Sequence, residues 1–314
     1  MEVVFLGTGA AWSLPEHSCG CAVCTKMLEL GEHRTRTSFL VRGEETVLVD
    51  PGPDLGIQMR KHRMQRPDLV LITHEHGDHY LGIDDLLAFR RSVPADEWTP
   101  IPVYASEQTW QSVEIRFGYL LGTLIEKRVA VSGVPLVGTT MRITPFKTDH
   151  GASAKGSVGY VLEDGQGDDR FKLSYTSDFV RLEDEPEFLL EPDMLIIQSH
   201  WLNEPEVNRP SHMSFQRAIE YIKRWRPKQA SYIVHVSDGE QVPGDPCNRF
   251  LKKVVPSSPL RDPSTGRAYP VPLCARDWQE VIDRICRDYE VPGPVVMTWD
   301  GLTVSTADTA PRRL

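Results

Sequence analysis

The chain has 314 residues, of which 40% are hydrophobic and 25% are charged, as in an ordinary globular protein. Acidic residues outnumber basic ones by 44 to 35, which gives a formal net charge of −9. A surface of this sign repels a phosphate backbone at long range and argues against bulk binding of nucleic acid. No apolar run has the length of a membrane span, and the stretch "MEVVFLGTGAAWSLP" has no basic leader. We therefore expect a cytoplasmic protein with no membrane partner.

The first half of the chain predicts strands that end in turns. In chain order, a strand and a Gly-rich turn are predicted in "EVVFLGTGAA", a hairpin in "TSFLVRG" and "ETVLVDPG", and two more strands in "PDLVLIT" and "TPIPVYAS". Between the last two, a helix is predicted in "GIDDLLAFRR".

The second half continues this design. Strands are predicted in "GTTMRITPFKTDHG", "SVGYVLEDG", "RFKLSYTSDF", "PDMLIIQSH" and "ASYIVHVSD", and a closing hairpin in "GPVVMTWDGLTV". Helices are predicted in "HMSFQRAIEYIKRW" and "DWQEVIDRICRDY". This mixture predicts an α/β fold of two mixed sheets with helices on the outer faces, an αββα sandwich, and we expect residues 1–314 to form one domain.

One segment departs from this pattern. Residues 243–272 contain seven prolines and few periodic apolar positions, which predicts an irregular insertion at about 240–275. The segment also carries five basic residues: Arg249, Lys252, Lys253, Arg261 and Arg267. One hypothesis is a lid over a functional cavity that selects an anionic substrate. An exposed loop or a dimer contact is the alternative.

The most informative stretch is "LITHEHGDHYL", which holds His74, His76, Asp78 and His79. The first two histidines face the same side of an extended chain, and Gly77 allows a sharp turn before the other two ligands. Imidazoles and carboxylates suit zinc, manganese or iron. A polar helix cap with surface histidines would be the simpler explanation, but this spacing matches a known metal-binding pattern.

Three more candidate ligands stand at predicted strand ends, namely His150, Asp178 and His235. Any one of them alone could be an ordinary polar residue at the end of a strand. Together with the four residues of the motif they complete the ligands of two metal sites.

Three cysteines lie close together in "SCGCAVC", at positions 19, 21 and 24. Three thiolates within six residues favour a closed structural zinc site, with a reduced cysteine-rich turn as the alternative. A disulfide framework is not expected in a chain of this size.

The motifs "LVDPG", "HEHGDH", "DHG", "YTSD" and "IVHVS" resemble the metallo-β-lactamase fold superfamily over almost the whole chain. The resemblance implies two divalent ions, zinc or manganese. It assigns one ion to His74, His76 and His150 and the second to Asp78, His79 and His235. Asp178 would bridge the two ions, and Asp50 would orient the ligands from outside.

The cysteine cluster resembles two groups of this superfamily, the phosphoribosyl 1,2-cyclic phosphate phosphodiesterases and the B protein of pyrroloquinoline-quinone biosynthesis. In the first group the fourth zinc ligand is a histidine three residues after the last active-site histidine, where this sequence has Asp238. We therefore expect Cys19, Cys21, Cys24 and Asp238 to hold a structural zinc ion. His17, His33 or Cys247 could replace the aspartate.

The same resemblance makes His212 the acid that protonates the leaving group, and Asp78 and His212 are our candidates for catalytic residues. Ser211 is expected to cap the helix that follows, whose N-terminus would attract a phosphate. His200 has no clear counterpart and is expected to be structural or to support the ligands. His62 lies among basic residues and is expected to be a solvated surface residue.

The implied function is that of a dinuclear metal-dependent hydrolase. We expect a phosphodiesterase that cleaves a small cyclic phosphate or nucleotide-like diester with a metal-bridging hydroxide. Alternatives are an RNA-processing nuclease like tRNase Z, a lactone or thioester hydrolase, or a protein of quinone-cofactor biosynthesis. The acidic charge and the cysteine cluster disfavour the nuclease. The expected partner is a small anionic substrate, and a homodimer is possible.

Overall fold

The computed structural model describes residues 1–167, 170–209 and 211–306. The strands of these residues are β1 (Glu2–Gly7), β2 (Ser38–Arg42), β3 (Thr46–Val49), β4 (Leu69–Leu71), β5 (Ile101–Ala105), β6 (Ile125–Val129), β7 (Arg142–Lys147), β8 (Val158–Asp164), β9 (Phe171–Tyr175), β10 (Met194–Gln198), β11 (Ala230–Val234), β12 (Val295–Met297) and β13 (Thr303–Ser305). The helices are α1 (Ala22–Leu30), α2 (Leu55–Lys61), α3 (Gly77–Tyr80), α4 (Leu87–Arg90), α5 (Glu107–Phe117), α6 (Phe215–Trp225) and α7 (Ala275–Asp288).

The strands form two mixed sheets. The first has the order β13-β1-β2-β3-β4-β5-β6 and the second the order β12-β11-β10-β9-β8-β7. In each sheet a run of parallel strands adjoins antiparallel ones: β3 to β6 are parallel in the first sheet, and β9 to β12 are parallel in the second. The predicted architecture of two mixed sheets is confirmed.

The main core lies between the two sheets and is rich in aromatic residues. Phe39 of the first sheet meets Tyr175 of the second with ring centroids 4.8 Å apart at an edge-to-face angle of 90°. Phe5 meets Tyr232 across the same interface with ring centroids 5.7 Å apart, at a tilted angle of 36°. Such pairs stabilise the core by about 1 kcal/mol beyond the burial of their area.

Helices cover the outer face of each sheet. Leu55 of α2 and Trp110 of α5 are buried against the first sheet. Helices α6 and α7 cover the second sheet. The apolar residues of α6 that recur at helical spacing are all buried, namely Phe215, Ala218, Ile219, Ile222 and Trp225. The four-layer arrangement follows from these apolar helix faces.

The prediction of a closing hairpin is wrong. Strand β12 pairs in parallel with β11 in the second sheet, whereas β13 pairs antiparallel with β1 in the first. The chain crosses between the sheets at a turn in which Gly301 has φ +98 and donates its backbone amide to Phe5. Two short apolar strands separated by a turn predict a hairpin by their pattern alone, because the pattern does not reveal which sheet each strand joins.

Other elements also differ from the prediction. The stretch "GIDDLLAFRR" forms a 3₁₀ turn (Ile83–Leu86) followed by the single-turn α4. Helices α1, α2 and α5 and strand β6 were not predicted. The pattern of α1 is hidden by the cysteine motif, because Cys21 caps the helix and Cys24 lies in its first turn.

The Pro-rich segment is irregular, as predicted, but it is tied down by isolated contacts. It contains a 3₁₀ turn (Pro246–Arg249) and the backbone bridges Glu240–Val254, Pro205–Pro256 and Arg261–Ala268. No helix among the described ranges of the chain is both long enough and apolar enough to cross a membrane.

Candidate metal centres

The predicted ligands meet at one edge of the sandwich. Strands β4, β9 and β11 each deliver a candidate ligand shortly after their carboxyl end, namely His74, Asp178 and His235. Strands β9 and β11 run parallel in the second sheet and end at the same edge, so the loops that follow them are neighbours. The loop after β4 of the first sheet meets them there, because His79 lies 3.4 Å from Asp178. His150 follows β7, whose direction is that of β9 because both are antiparallel to β8.

The first group consists of His74, His76 and His150, whose ligand atoms lie within 4.8 Å of one another. The Nε2 atom of His150 is 3.1 Å from Nδ1 of His76. The Nδ1 atom of His150 lies 3.0 Å from the carbonyl oxygen of Ser211, which fixes the ring. His74 and His150 are buried, whereas His76 is partly exposed.

The second group consists of Asp78, His79, Asp178 and His235. The Nε2 atom of His79 is 3.1 Å from Oδ2 of Asp78 and 3.4 Å from Oδ2 of Asp178. The Nε2 atom of His235 is 3.5 Å and 3.0 Å from the same two oxygens. Oδ2 of Asp178 is also 3.9 Å from Nε2 of His150, so this carboxylate faces both groups.

The residues present fit divalent metal ions. Four atoms arranged tetrahedrally at about 2.1 Å from one ion lie about 3.4 Å apart, which matches the separations in the second group. The Nε2 atoms of His74 and His79 and both carboxylate oxygens of Asp178 are buried and make no well-aligned hydrogen bond among the described residues. Buried polar atoms of this kind need another partner.

The electrostatics of the second group arise from buried opposite charges. Burial alone would lower the pKa of His79, but the carboxylates of Asp78, Asp50 and Asp178 outweigh it and raise this pKa well above its usual value. The pKa of His235 rises to about 9, because Asp178 and Asp78 outweigh burial there as well. The same attraction, from His235 and His79, holds the pKa of Asp178 well below its usual value against the effect of burial.

Asp50 lies behind the candidate ligands. Its carboxylate accepts hydrogen bonds from the backbone amide of Thr73 (2.9 Å), the hydroxyl of Thr73 (3.0 Å) and the hydroxyl of Tyr175 (3.2 Å). Its Oδ2 is 2.9 Å from Nδ1 of His79. This contact orients the imidazole so that Nε2 points into the ligand group.

His212 lies beside both groups and its Nδ1 is 3.6 Å from Oδ2 of Asp178. It is buried, and burial together with the neighbouring His200 lowers its pKa well below the usual value. The ring of His200 stacks on that of His212 at a centroid distance of 4.1 Å and an angle of 5°. His200 is therefore part of the site, packed directly against the candidate acid.

Gln198 is a site residue that the sequence analysis missed. Its Nε2 amide lies 2.5 Å from Nδ1 of His212 and 3.1 Å from Nδ1 of His235. Its Oε1 accepts from the backbone amide of Phe179 at 3.0 Å. The one signal in the sequence is that Gln198 ends β10, which lies between the strands that deliver Asp178 and His235.

The prediction of a phosphate-binding helix end after Ser211 is wrong. The residue that caps α6 is Ser214, whose side chain accepts from the backbone amide of Arg217. The amides of Phe215 and Gln216 donate to the carbonyl oxygens of Trp201 and Leu202. Because the first amides of the helix already have protein partners, they are not free to hold an anion.

The cysteine cluster is a third group of ligand atoms, separate from the two His/Asp groups. Oδ2 of Asp238 lies 3.8 Å, 3.2 Å and 3.3 Å from the sulfur atoms of Cys19, Cys21 and Cys24. All four ligand atoms lie within 4.8 Å of one another. The other candidates for the fourth position, His17, His33 and Cys247, are outside this group.

The two centres are connected through the chain and through side chains. Asp238 follows His235 by three residues. The indole nitrogen of Trp12 donates to Oδ1 of Asp238 at 3.1 Å, and the indole edge meets the ring of His200 at 5.8 Å. The cysteine cluster is thus joined to the loop that carries a predicted active-site ligand.

The basic residues of the Pro-rich segment contact different parts of the protein. The ammonium groups of Lys252 and Lys253 reach Asp238, the first its carboxylate and the second its carbonyl oxygen. Arg261 donates to the carbonyl oxygen of Gly266 within its own turn. None of these three contacts involves a residue of the His/Asp groups, so they do not support the hypothesis of a lid that selects the substrate.

The prediction for His62 is also wrong. It is half-buried at the end of α2, and its Nε2 is buried without a hydrogen-bond partner among the described residues. Burial lowers its pKa. The basic neighbours in the sequence misled the prediction, because they point to solvent while the imidazole packs near Gly301.

With this geometry established, comparison with known proteins identifies the family. The model of the beta-lactamase superfamily domain matches residues 45–236, more than half of the chain. The chain belongs to the beta-lactamase superfamily. The predicted superfamily and fold are confirmed.

Curated relatives of this beta-lactamase superfamily protein match only in part. An octanoyltransferase of Porphyromonas gingivalis is 26% identical over 248 residues, which are 76% of this chain and 46% of that protein. A ribonuclease Z of Treponema pallidum is 30% identical over 148 residues, which are 45% of this chain and 46% of that protein. The match therefore spans about half the length of these curated relatives.

Solved structures match over nearly the full length. A diphosphatase from the PhnP family has a TM-score of 0.67 at 20% identity and covers 99% of both chains. The zinc-bound PqqB of Methylobacterium extorquens has a TM-score of 0.68 at 18% identity and covers 97% of this chain and 100% of its own. At these identities the likeness concerns the fold.

Proposed function

We propose that the protein is a dinuclear metal-dependent phosphodiesterase acting on a small cyclic phosphate or a nucleotide-like diester. The observation that carries this proposal is the position of Asp178. Its Oδ2 lies 3.4 Å from His79, 3.0 Å from His235 and 3.9 Å from His150. One carboxylate therefore faces both ligand groups, as a residue shared between two ions must.

In this proposal the ligands divide as the resemblance implies. His74, His76 and His150 would hold one ion, Asp78, His79 and His235 would hold the second, and Asp178 would contact both. Two divalent ions bound side by side supply an acidified water and neutralise charge on the oxygens of a phosphodiester.

The other residues of the site orient the ligand rings or would donate a proton to the leaving group. Asp50 fixes the ring of His79, and Gln198 contacts the rings of His212 and His235. The Nδ1 atom of His212 lies 3.6 Å from Oδ2 of Asp178, and in its doubly protonated form this imidazole would donate a proton to the leaving oxygen as the ester bond breaks. The stacked ring of His200 restrains the position from which that proton is donated.

The comparisons support a phosphate ester as substrate. One relative is a ribonuclease and one structural neighbour is a diphosphatase. A nuclease related to ribonuclease Z is the second candidate, favoured by the 30% identity over 148 residues. The net charge of −9 argues against it, because a long RNA substrate would meet repulsion over most of the surface.

The test is a parallel assay of substrate classes with protein reloaded with zinc or manganese. The substrates are bis(4-nitrophenyl) phosphate, a five-membered cyclic ribose phosphate, a precursor tRNA, a lactone and a glutathione thioester. Asp178→Asn is the matched control, since it keeps the shape of the side chain and removes the shared negative charge.

We expect turnover of the two small diesters that depends on added metal and falls at least about 100-fold in Asp178→Asn. Preferred cleavage of the precursor tRNA would favour the nuclease instead. Turnover of the lactone or thioester alone would contradict the phosphodiesterase. Metal binding without any turnover would favour a non-hydrolytic role such as cofactor biosynthesis.

A further inference from the structure

With zinc bound, the cysteine cluster would carry more negative charge than one zinc ion balances. Three thiolates and the carboxylate of Asp238 amount to four negative charges, and one divalent ion leaves two of them uncompensated. Cys21, Cys24 and Asp238 are fully buried, and buried charge is costly unless it is paired. A neutral histidine in place of Asp238 would leave only one excess charge.

Two lysines of the Pro-rich segment approach this cluster. The ammonium group of Lys252 contacts the carboxylate of Asp238 and lies 3.2 Å from the sulfur of Cys19. Only 17% of its side chain is exposed, whereas its other partner, Glu16, is 39% exposed. Lys253 is buried, and its ammonium group lies 2.5 Å from the carbonyl oxygen of Asp238.

Lys252 contacts the one ligand atom of the cysteine cluster that is not a sulfur. It contacts Oδ2 of Asp238, the same oxygen that faces the three sulfurs. Oδ1 is held separately by the indole of Trp12 at 3.1 Å. The carboxylate therefore has one oxygen for orientation and one that is shared between the ligand group and an ammonium ion.

We propose that Lys252 is the counter-charge that allows Asp238 to serve as the fourth ligand of a zinc ion held by three thiolates. The inference rests on the zinc site that the sequence analysis expects at the cysteines and is independent of the proposed phosphodiesterase activity. In this proposal, basic charge of the Pro-rich segment balances the excess negative charge of the cysteine/aspartate cluster. A residue that acts on a metal through a ligand in this way is a positioning residue.

Lys252 could otherwise matter only because it packs the Pro-rich segment onto the cluster. The two roles differ in their dependence on the charge of residue 238. A counter-charge is needed beside an aspartate and becomes dispensable beside a neutral ligand. A packing contact is needed equally in both cases.

The experiment is a double-mutant cycle between Lys252→Met and Asp238→His, with metal binding as the readout. Metal-free protein is titrated with cobalt, and the thiolate-to-cobalt absorption band follows the cysteine site alone, without interference from the His/Asp groups. Zinc affinity is then measured by displacement of the cobalt. Lys252→Arg tests rescue of the charge, and Lys228→Met is a control at an exposed lysine.

We expect Lys252→Met to weaken zinc binding about 10- to 100-fold in the natural background and less than about threefold in the Asp238→His background, with Lys252→Arg near the natural affinity. If Asp238→His does not fold, as judged by circular dichroism, Asp238→Asn provides the neutral background. Equal losses in both backgrounds, or no loss in the natural one, would overturn the proposal. A natural protein without a thiolate band would also overturn it, and would leave the proposed phosphodiesterase untouched.

Discussion

Asp50 and Gln198 hold the ligand rings in place without being predicted ligands themselves. Asp50 could be predicted, because the motif "LVDPG" that contains it resembles the superfamily. Gln198 could not be predicted as a site residue, because a single glutamine at a strand end is part of no recognisable motif. Its role depends on strand order, which places β10 between β9 and β11, and that order is a tertiary property that local pattern does not encode.

The first prediction at the residue scale concerns Asp50. Asp50→Asn should weaken metal binding at the His/Asp groups about 10- to 100-fold, because the amide orients His79 less strongly than the carboxylate does. Metal content after dialysis against a chelator, measured by mass spectrometry, checks this. Tyr175→Phe is the control, since it removes one hydrogen bond to Asp50 (3.2 Å) and leaves the carboxylate in place. Equal metal retention by Asp50→Asn and natural protein would contradict the assigned role.

The second prediction concerns the pair His200 and His212. If His212 protonates the leaving group, His212→Asn should slow a diester with a poor alkoxide leaving group at least about 100-fold, within the range typical of acid catalysis. The same variant should affect a 4-nitrophenyl diester only a few-fold, because that leaving group needs no proton.

His200→Leu should show the same selectivity in weaker form, since it removes the ring that stacks on His212. The ratio of kcat for the two diesters is the measurement. His200→Phe keeps a stacking ring and should recover most of the activity on the poor leaving group. A loss that is equal for both diesters would indicate a general structural role for His200.

At the scale of elements, the strands that carry ligands were predicted well and the connections less well. Strands β4 and β11 are mostly apolar, whereas β7 and β9 mix apolar or aromatic residues with polar ones. Each strand is followed within a few residues by a candidate ligand, and this pattern is visible in the sequence. The sequence does not show that β12 and β13 join different sheets, because both strands are short and each could pair with the other. Helix α1 is obscured in the sequence because the cysteine motif supplies its cap and part of its first turn.

The third prediction concerns the segments that meet at the cysteine cluster. Residues 11–24 and 237–254 are joined by the bond from Trp12 to Asp238 and by the bond from the amide of Ala22 to Asp245 (2.8 Å). Removal of metal from the cysteines should raise hydrogen exchange in these two segments while β4 and β9 remain protected. Exchange measured by mass spectrometry with and without chelator tests this. Unchanged exchange in both segments would argue against a structural metal there.

At the scale of the whole molecule, the first and last described strands are neighbours. Strand β1 pairs with β13 on one side and β2 on the other, with Val3 opposite Val304 and Val41. The core between the sheets uses residues from the whole length of the chain. We therefore propose that the described residues fold as one domain, and the single domain expected over residues 1–314 stays a prediction.

The fourth prediction follows from that arrangement. Metal-free protein should unfold in one cooperative transition, with equal calorimetric and van't Hoff enthalpies, because neither sheet can bury its inner face without the other. Differential scanning calorimetry is the measurement. Two separable transitions would contradict the single domain.

The measurement that tests the central claim most directly is anomalous diffraction from crystals grown with manganese. The account predicts two manganese peaks at the His/Asp groups, one among His74, His76 and His150 and one among Asp78, His79 and His235, with Asp178 between them. A single peak, or none, at this edge of the sandwich would contradict a dinuclear centre and with it the proposed phosphodiesterase.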